Sequence, residues 1–416
     1  MTISEQRPAD SRRIAAFCLV QMAVISAGVC WAAYRHHSME QSRRLPVPQT
    51  EPLHVSPLYD NADVISDAQL VKVLNKLKPR MGRVQPNINH VDHALRFWGV
   101  AAEFNDPECL SGFEMRDILL DHRQFSRAWG DETRPFLIEE HDGLRVRTRE
   151  GISSSSHVDH TLASLAETGT PLDYPIITAN GETTLQQVFD QALRDFSLNQ
   201  LEYEWSTLAF ALYVPPTRSW ISTEGQEITF DRLAQRIMRQ RLAQGVCRGN
   251  HRLHTLVMLL RIDDQVDILS PDGRTQIVDY LKDVTHRLVE HQHTEGYWEG
   301  DWPGPERDGP QLHNAKDNHG LVNRLLVTGH AMEWWSLAPA EVQPPRETLV
   351  SAGQWLSRTI NGLSTGQIRA YYTYLTHAGR AMSLWRGMEP AEAIRRFPGL
   401  SSPNSDPTER SVRQES

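Results

Sequence analysis

From about residue 60 to residue 390, apolar side chains recur every three or four positions and period-two alternation is scarce. That spacing collects them on one stripe of a helix and would scatter them over both faces of a strand. The segment is therefore expected to be all-α. Candidate helices fall near 66–78, 92–104, 114–129, 157–168, 184–198, 202–213, 229–243, 251–263, 273–291, 318–337, 345–361 and 370–386, about twelve in all, separated by Pro, Gly and Ser. Ser66 with Gln69, and Thr183 with Gln186, have the spacing of a capping box. Roughly 27 residues per helix with its loop is the spacing of helical hairpins stacked in an array or closed in a ring. No crisp repeat supports an open solenoid, so residues 59–390 are expected to form an α/α toroid.

Ahead of that domain, Ile14 to Tyr34 contains no charged residue. A helix of about 21 residues at ~1.5 Å rise spans ~30 Å, the thickness of the bilayer's hydrocarbon core. This predicts a transmembrane anchor over 14–34 after an N-terminal tail of 1–13. The Cys-Trp-Ala-Ala stretch at 30–33 keeps a cleaved signal peptide open as the other reading. Arg7, Arg12 and Arg13 on one side are matched by Arg35, Arg43 and Arg44 on the other. The Arg12-Arg13 pair tips the expectation toward a single-pass protein with its large domain extracytoplasmic. Pro46, Pro48, Pro52 and Pro57 mark 35–58 as an extended linker, and the polar stretch 391–416 reads as a disordered tail.

The 416 residues carry a net charge of −9, which argues against a nucleic-acid partner because that role needs a basic surface to meet phosphates. Four cysteines, two of them in the apolar segment, exclude a disulfide scaffold. No P-loop, dinucleotide fingerprint, Gly-x-Ser-x-Gly elbow or His-Glu-x-x-His helix is present.

Leu288, Gln292, Gly296 and Trp298 are spaced Leu-x-x-x-Gln-x-x-x-Gly-x-Trp, which resembles the QW motif of the terpene cyclase and protein prenyltransferase toroids. The resemblance covers about a dozen residues once. It implies the toroid fold, with the Gln and Trp tying one helix end to its neighbour. The Asp-x-Asp-Asp acid and the Asp-x-Cys zinc pair of those families are missing, so their activities are not implied.

Three constellations could carry chemistry. His-Val-Asp-His occurs at 90–93 and 157–160, and His at i and i+3 share a helix face as metal ligands do. Asn89 and Ser156 precede the two copies, so N-capping with Asp92 or Asp159 at N3 is the competing explanation. His157, Asp159 and His160 are the stronger candidates because a Ser-rich stretch precedes them. Cys247, His251 and His254 open a helix apolar on nearly every side, which suits an inner helix and could bind zinc or form a thiol–imidazole pair. His319, Asn323, His330 and Glu333 form a polar stripe without Lys or Arg, either solvated or lining a wet interior. Trp298 and Trp302 bracket Glu299 and Asp301, a pattern that suits sugar stacking as well as a structural clasp.

Two functions follow as expectations. One is a membrane-anchored enzyme with a His-rich cavity, acting by acid–base or metal-assisted chemistry on an isoprenoid-like or glycan-like substrate. Its candidate residues are His157, Asp159, His160, Cys247, His251, His254, His319, His330 and Glu333. The other is a non-catalytic tethered module that binds a protein or an envelope polymer, in which the histidines need not converge.

Overall fold

The computed structural model describes residues 8–42, 45–141, 143–200, 202–214, 219–303 and 320–398. The first helix, α1 (Pro8–Ser42), includes an apolar stretch, Arg13–Arg35, long enough to cross a membrane, and that stretch is not buried against the rest of the chain. The other helices are α2 (Asp67–Lys76), α3 (Ile88–Trp98), α4 (Gly112–Leu120), α5 (His122–Trp129), α6 (His160–Glu167), α7 (Leu185–Asp195), α8 (Glu204–Tyr213) and α9 (Phe230–Arg239). They continue with α10 (Asn250–Asp263), α11 (Pro271–His291), α12 (Leu321–Leu337), α13 (Arg346–Gly362), α14 (Thr365–Ala370), α15 (Tyr372–Leu384) and α16 (Pro390–Arg396).

The protein is mostly helical, as its periodicity predicts, but not wholly so. Among the described residues, three two-stranded antiparallel ribbons interrupt it: β1 (Leu137–Glu139) with β2 (Leu144–Val146), β3 (Pro175–Ile177) with β4 (Glu182–Thr184), and β5 (Ser219–Ile221) with β6 (Glu227–Thr229). Each strand is three residues long, too short for an alternating pattern to stand out. The helix expected over 114–129 is two helices, because the Asp121 backbone turns extended and its side chain caps α5 through the Arg123 N–H.

Six helices are buried on nearly every side, and their contacts run in sequence: α3 with α6, α6 with α8, α8 with α10, α10 with α12, α12 with α15, and α15 with α3. The intervening helices lie outside them, α13 against α2 and α12, and α11 against α9 and α10. α12 and α15 approach most closely: a Cβ on Gly329 would lie 3.1 Å from Ala378 Cβ.

Local chemistry explains several boundaries. The expected capping box at Ser66 and Gln69 is formed, and two more stand at Ser111 with Glu114 and at Ser364 with Gln367. The box expected at Thr183 and Gln186 is not formed: α7 starts after Thr184, and the Gln186 amide donates to Asp190 instead. Around the QW-like motif, the Gln292 amide donates to the Thr348 carbonyl at 2.9 Å and the Trp298 indole donates to the Leu288 carbonyl at 2.6 Å. Trp298 and Trp302 are both buried, so their rings are core and offer no sugar-stacking surface.

The linker is not a free tether. Gln49 and Leu53 donate backbone hydrogen bonds to the carbonyls of Tyr213 and Leu212, and Arg261 and Gln265 reach the carbonyls of Ser56 and His54. Nor is the whole of 391–416 structureless, since Pro390–Arg396 form α16 with Ala393 and Ile394 buried.

Candidate functional site: an imidazole cluster above a ring of ion pairs

Each of the six buried helices brings polar side chains to the common interior. Four carry a histidine followed three residues later by an ionisable group: His93 and Arg96 on α3, His251 and His254 on α10, His330 and Glu333 on α12, and His377 and Arg380 on α15. α6 supplies His160 and Glu167, and α8 supplies Trp205. Three residues is nearly one helical turn, so the two sets form successive layers.

The histidine layer is a chain of touching rings. His93 stacks on His160 with centroids 4.3 Å apart, and His330 stacks on His377 at 3.7 Å. His251 lies 5.0 Å from His330 and 5.6 Å from His377. Trp205 closes the circuit, 4.4 Å from His160 and 4.7 Å from His251.

Hydrogen bonds fix which nitrogen carries each proton. The Nδ1 atoms of His93 and His330 lie 2.8 and 2.7 Å from the carbonyls of Asn89 and Leu326. A carbonyl only accepts, so Nδ1 is protonated and Nε2 keeps its lone pair. The Nδ1 of His160 donates to Asp92 at 2.9 Å, and that of His377 to Glu333 at 2.5 Å. The Nε2 of His160 is buried without a hydrogen-bond partner. Burial pushes His93, His251 and His330 well below the ordinary imidazole value, reinforced by neighbouring imidazoles, and lowers His377 to about 4.

Below the imidazoles lies a closed ring of charge. Arg96 reaches Glu167 at 2.6 Å and Glu333 at 2.8 Å, and Arg380 reaches the same two carboxylates at 3.3 and 2.8 Å. Burial acts to raise Glu167 and Glu333, but the guanidinium of Arg96 leads the groups that hold both well below the usual carboxylate range. Two positive and two negative charges alternate, so the ring itself is neutral.

The structure places the sequence-derived candidates unequally. Cys247, His251 and His330 come together, with their ligand atoms all within 4.8 Å of one another. His254 does not complete a zinc set with Cys247 and His251: its Nε2 accepts from Arg96 at 2.9 Å and lies 3.3 Å from Glu167. A guanidinium only donates, so the lone pair that would bind a metal is already engaged. His157 stands at the edge of the imidazole cluster, 5.7 Å from the His251 ring, with its Nδ1 3.2 Å from Glu202. Glu333 belongs to the ion ring, which overturns the solvated reading of its stripe. His319 lies outside the described residues.

Simple capping does not explain the two His-Val-Asp-His copies. α3 begins earlier and is capped by Asn87, which frees Asp92 to sit fully buried and accept from His160 and from Thr161 at 2.6 Å. In the second copy Asp159 is itself the residue before α6, in a left-handed conformation with φ 55° and with no capping hydrogen bond. Its carboxyl accepts from the Ser206 hydroxyl. Burial pushes Asp159 up to about 6, against the lowering effect of Ser206. Val158 and Asp159 line a cleft of about 480 Å³ with Glu140, Arg145, Asp195 and Gln200, so the turn that forms this cleft wall leads directly into His160.

Sequence reasoning missed His93, Arg96, Glu167, His377 and Arg380 as members of one site. The recurrence of His-x-x-ionisable in otherwise apolar helices was the available signal. No protein-family model matches this chain, and no curated protein or solved structure is significantly similar to it.

Proposed function

We propose that the protein is a membrane-anchored enzyme in which the cycle of six buried helices, with its outer helices, forms an α/α toroid, and that acid–base chemistry takes place at its axis. The observation that carries this reading is the Asp92–His160 pair. Asp92 holds the Nδ1 proton of a fully buried imidazole whose Nε2 has no protein partner. A lone pair prepared in this way is a general base. Asp159, which precedes it in the cleft wall and is poised near pH 6, is the matching general acid. In a hydrolytic cycle, Asp159 gives its proton to the leaving oxygen of a substrate in the cleft, and His160, the next residue in the chain, takes a proton from the attacking water at Nε2 once substrate entry admits that water to the buried ring.

The lining favours one of the two substrate classes. An isoprenoid chain needs a continuous apolar wall, whereas in this cleft the apolar Val146, Val188 and Phe196 are interspersed with carboxylates, an arginine and two glutamine amides. A glycan-like, hydroxyl-rich substrate fits better. Convergence of the histidines from five of the six inner helices also weighs against a purely structural module. α1 supplies the anchor, and the arginine pair at the start of its apolar stretch favours an extracytoplasmic domain.

The test is turnover by the full chain in detergent against a panel of oligosaccharides and isoprenyl diphosphates. Cleavage of a glycan, lost in both His160→Gln and Asp159→Asn with helical content retained, is the expected result. Saturable binding of a polymer without turnover, unchanged in both variants, would make the protein a binding module instead.

A further inference from the structure

The geometry points to a transition-metal site, with zinc as its best occupant, formed by Cys247 Sγ, His251 Nε2 and His330 Nε2. This assignment is independent of the acid–base reading above, which turns on Asp92, His160 and Asp159.

The first argument is the facing of two imidazoles. His251 Nε2 and His330 Nε2 are 3.1 Å apart in the buried interior. The Leu326 carbonyl fixes the proton of His330 on Nδ1, so its Nε2 presents a bare lone pair to its neighbour. His251 can meet that lone pair with an Nε2 proton, but its Nδ1 is then left bare. If the proton moves to Nδ1, two lone pairs face each other. His251 Nδ1 is buried with no partner, so either arrangement leaves a polar atom of a 2 % exposed side chain unsatisfied. A cation between the rings turns the facing lone pairs into ligands. Two nitrogens at ~2.0–2.1 Å from a tetrahedral ion stand about 3.3 Å apart, close to the separation found here.

The second argument is the backbone that delivers the thiol. Cys247 and Arg248 have φ of 50° and 57°, and Gly249 follows at 79°. Three successive left-handed residues, two of them not glycine, are costly and persist only where the surrounding fold imposes them. A Cβ on Gly249 would lie 2.7 Å from the Leu242 carbonyl oxygen, so the turn is also locked by close approach. The result places Sγ within 4.8 Å of both imidazole ligand atoms, and a side-chain adjustment of about 1 Å closes tetrahedral geometry.

The donor set selects the ion. One sulfur and two imidazole nitrogens suit zinc or cobalt and are poor ligands for magnesium or calcium, which require oxygen. Three protein ligands leave a fourth position for water, the arrangement of catalytic rather than structural zinc. The Leu326 carbonyl on His330 Nδ1 is the outer partner that orients such a ligand.

The test is metal binding by the full chain in detergent, stripped with a chelator and reloaded with zinc or cobalt alone. One ion per chain is expected, and the cobalt form should show a thiolate-to-metal charge-transfer absorption. Cys247→Ser should abolish that absorption, and His330→Ala should weaken zinc at least tenfold, whereas Cys109→Ser should leave both unchanged. Should either ligand variant fail to fold, alkylation of Cys247 in the wild-type chain decides the matter, because bound zinc should protect it. A folded wild-type chain that takes up no stoichiometric metal, or a Cys247 alkylated equally fast with and without zinc, would overturn the assignment.

Discussion

Glu333 on α12 accepts a 2.5 Å hydrogen bond from His377 Nδ1 on α15 while also pairing with both Arg96 and Arg380. One carboxylate thus joins the imidazole layer to the ion ring. Replacing it by the isosteric amide keeps the volume but leaves two buried guanidinium groups sharing Glu167 alone. Glu333→Gln should lower unfolding free energy by about 3–5 kcal/mol, the cost of breaking a buried ion pair from one side. Urea denaturation followed by circular dichroism measures it, and a loss below about 1 kcal/mol would show that the ring is not closed in solution.

Asp159 gives the protein a pH dependence of known sign. Its folded value is raised to about 6 from the ordinary 3.8. The neutral form is therefore the one favoured by folding, and its contribution is fully present below the unfolded value. That contribution is lost as pH rises from about 4 through about 6. Because Asp159 is partly exposed in its cleft wall, the effect should be on the order of 1–2 kcal/mol. Asp159→Asn should remove this drop, and a variant with the same pH profile as the wild type would refute the assignment.

At the α12–α15 contact, a side chain on Gly329 meets Ala378 atoms within 3.1–3.2 Å. Gly329→Val should cost about 1–3 kcal/mol by overpacking. It should also part the His330 and His377 rings, now 3.7 Å apart, so zinc affinity should fall even in preparations that remain helical. Calorimetric titration of zinc into Gly329→Ala and Gly329→Val tests whether the loss scales with side-chain size.

The apolar stretch of α1 should keep the full chain in membranes through alkaline carbonate washing, and three charged substitutions between 18 and 30 should release it. A protease added outside intact cells should degrade the large domain if that domain is extracytoplasmic, and should leave it untouched if it is not.

The sequence made the helices legible because burial and periodicity agree: α10 and α12 are apolar around most of their circumference and were expected as inner helices or as walls of a wet interior. The ribbon β1–β2 was invisible, since Leu137–Glu139 and Leu144–Val146 are too short to carry a period. The site was legible in part. Cys247 and His251 are four residues apart, so their proximity could be anticipated, but their third companion is on α12, and spacing along one chain cannot reveal a partner that only packing supplies. His254 misled for the same reason: its position on α10 matches a ligand, while Arg96, far away in sequence, takes its lone pair.

The strip of chain before α2 has a bearing on how the molecule works at a surface. α1 ends at Ser42, and Gln49 is already fastened to the Tyr213 carbonyl, so only six residues lie between. Fully stretched, those seven steps reach no further than about 25 Å. A lipid-embedded α1 would therefore work as a short leash: the helical domain could tilt and swivel over a small patch of bilayer but could not wander far from it, and whatever it processes would have to be met within that shallow zone.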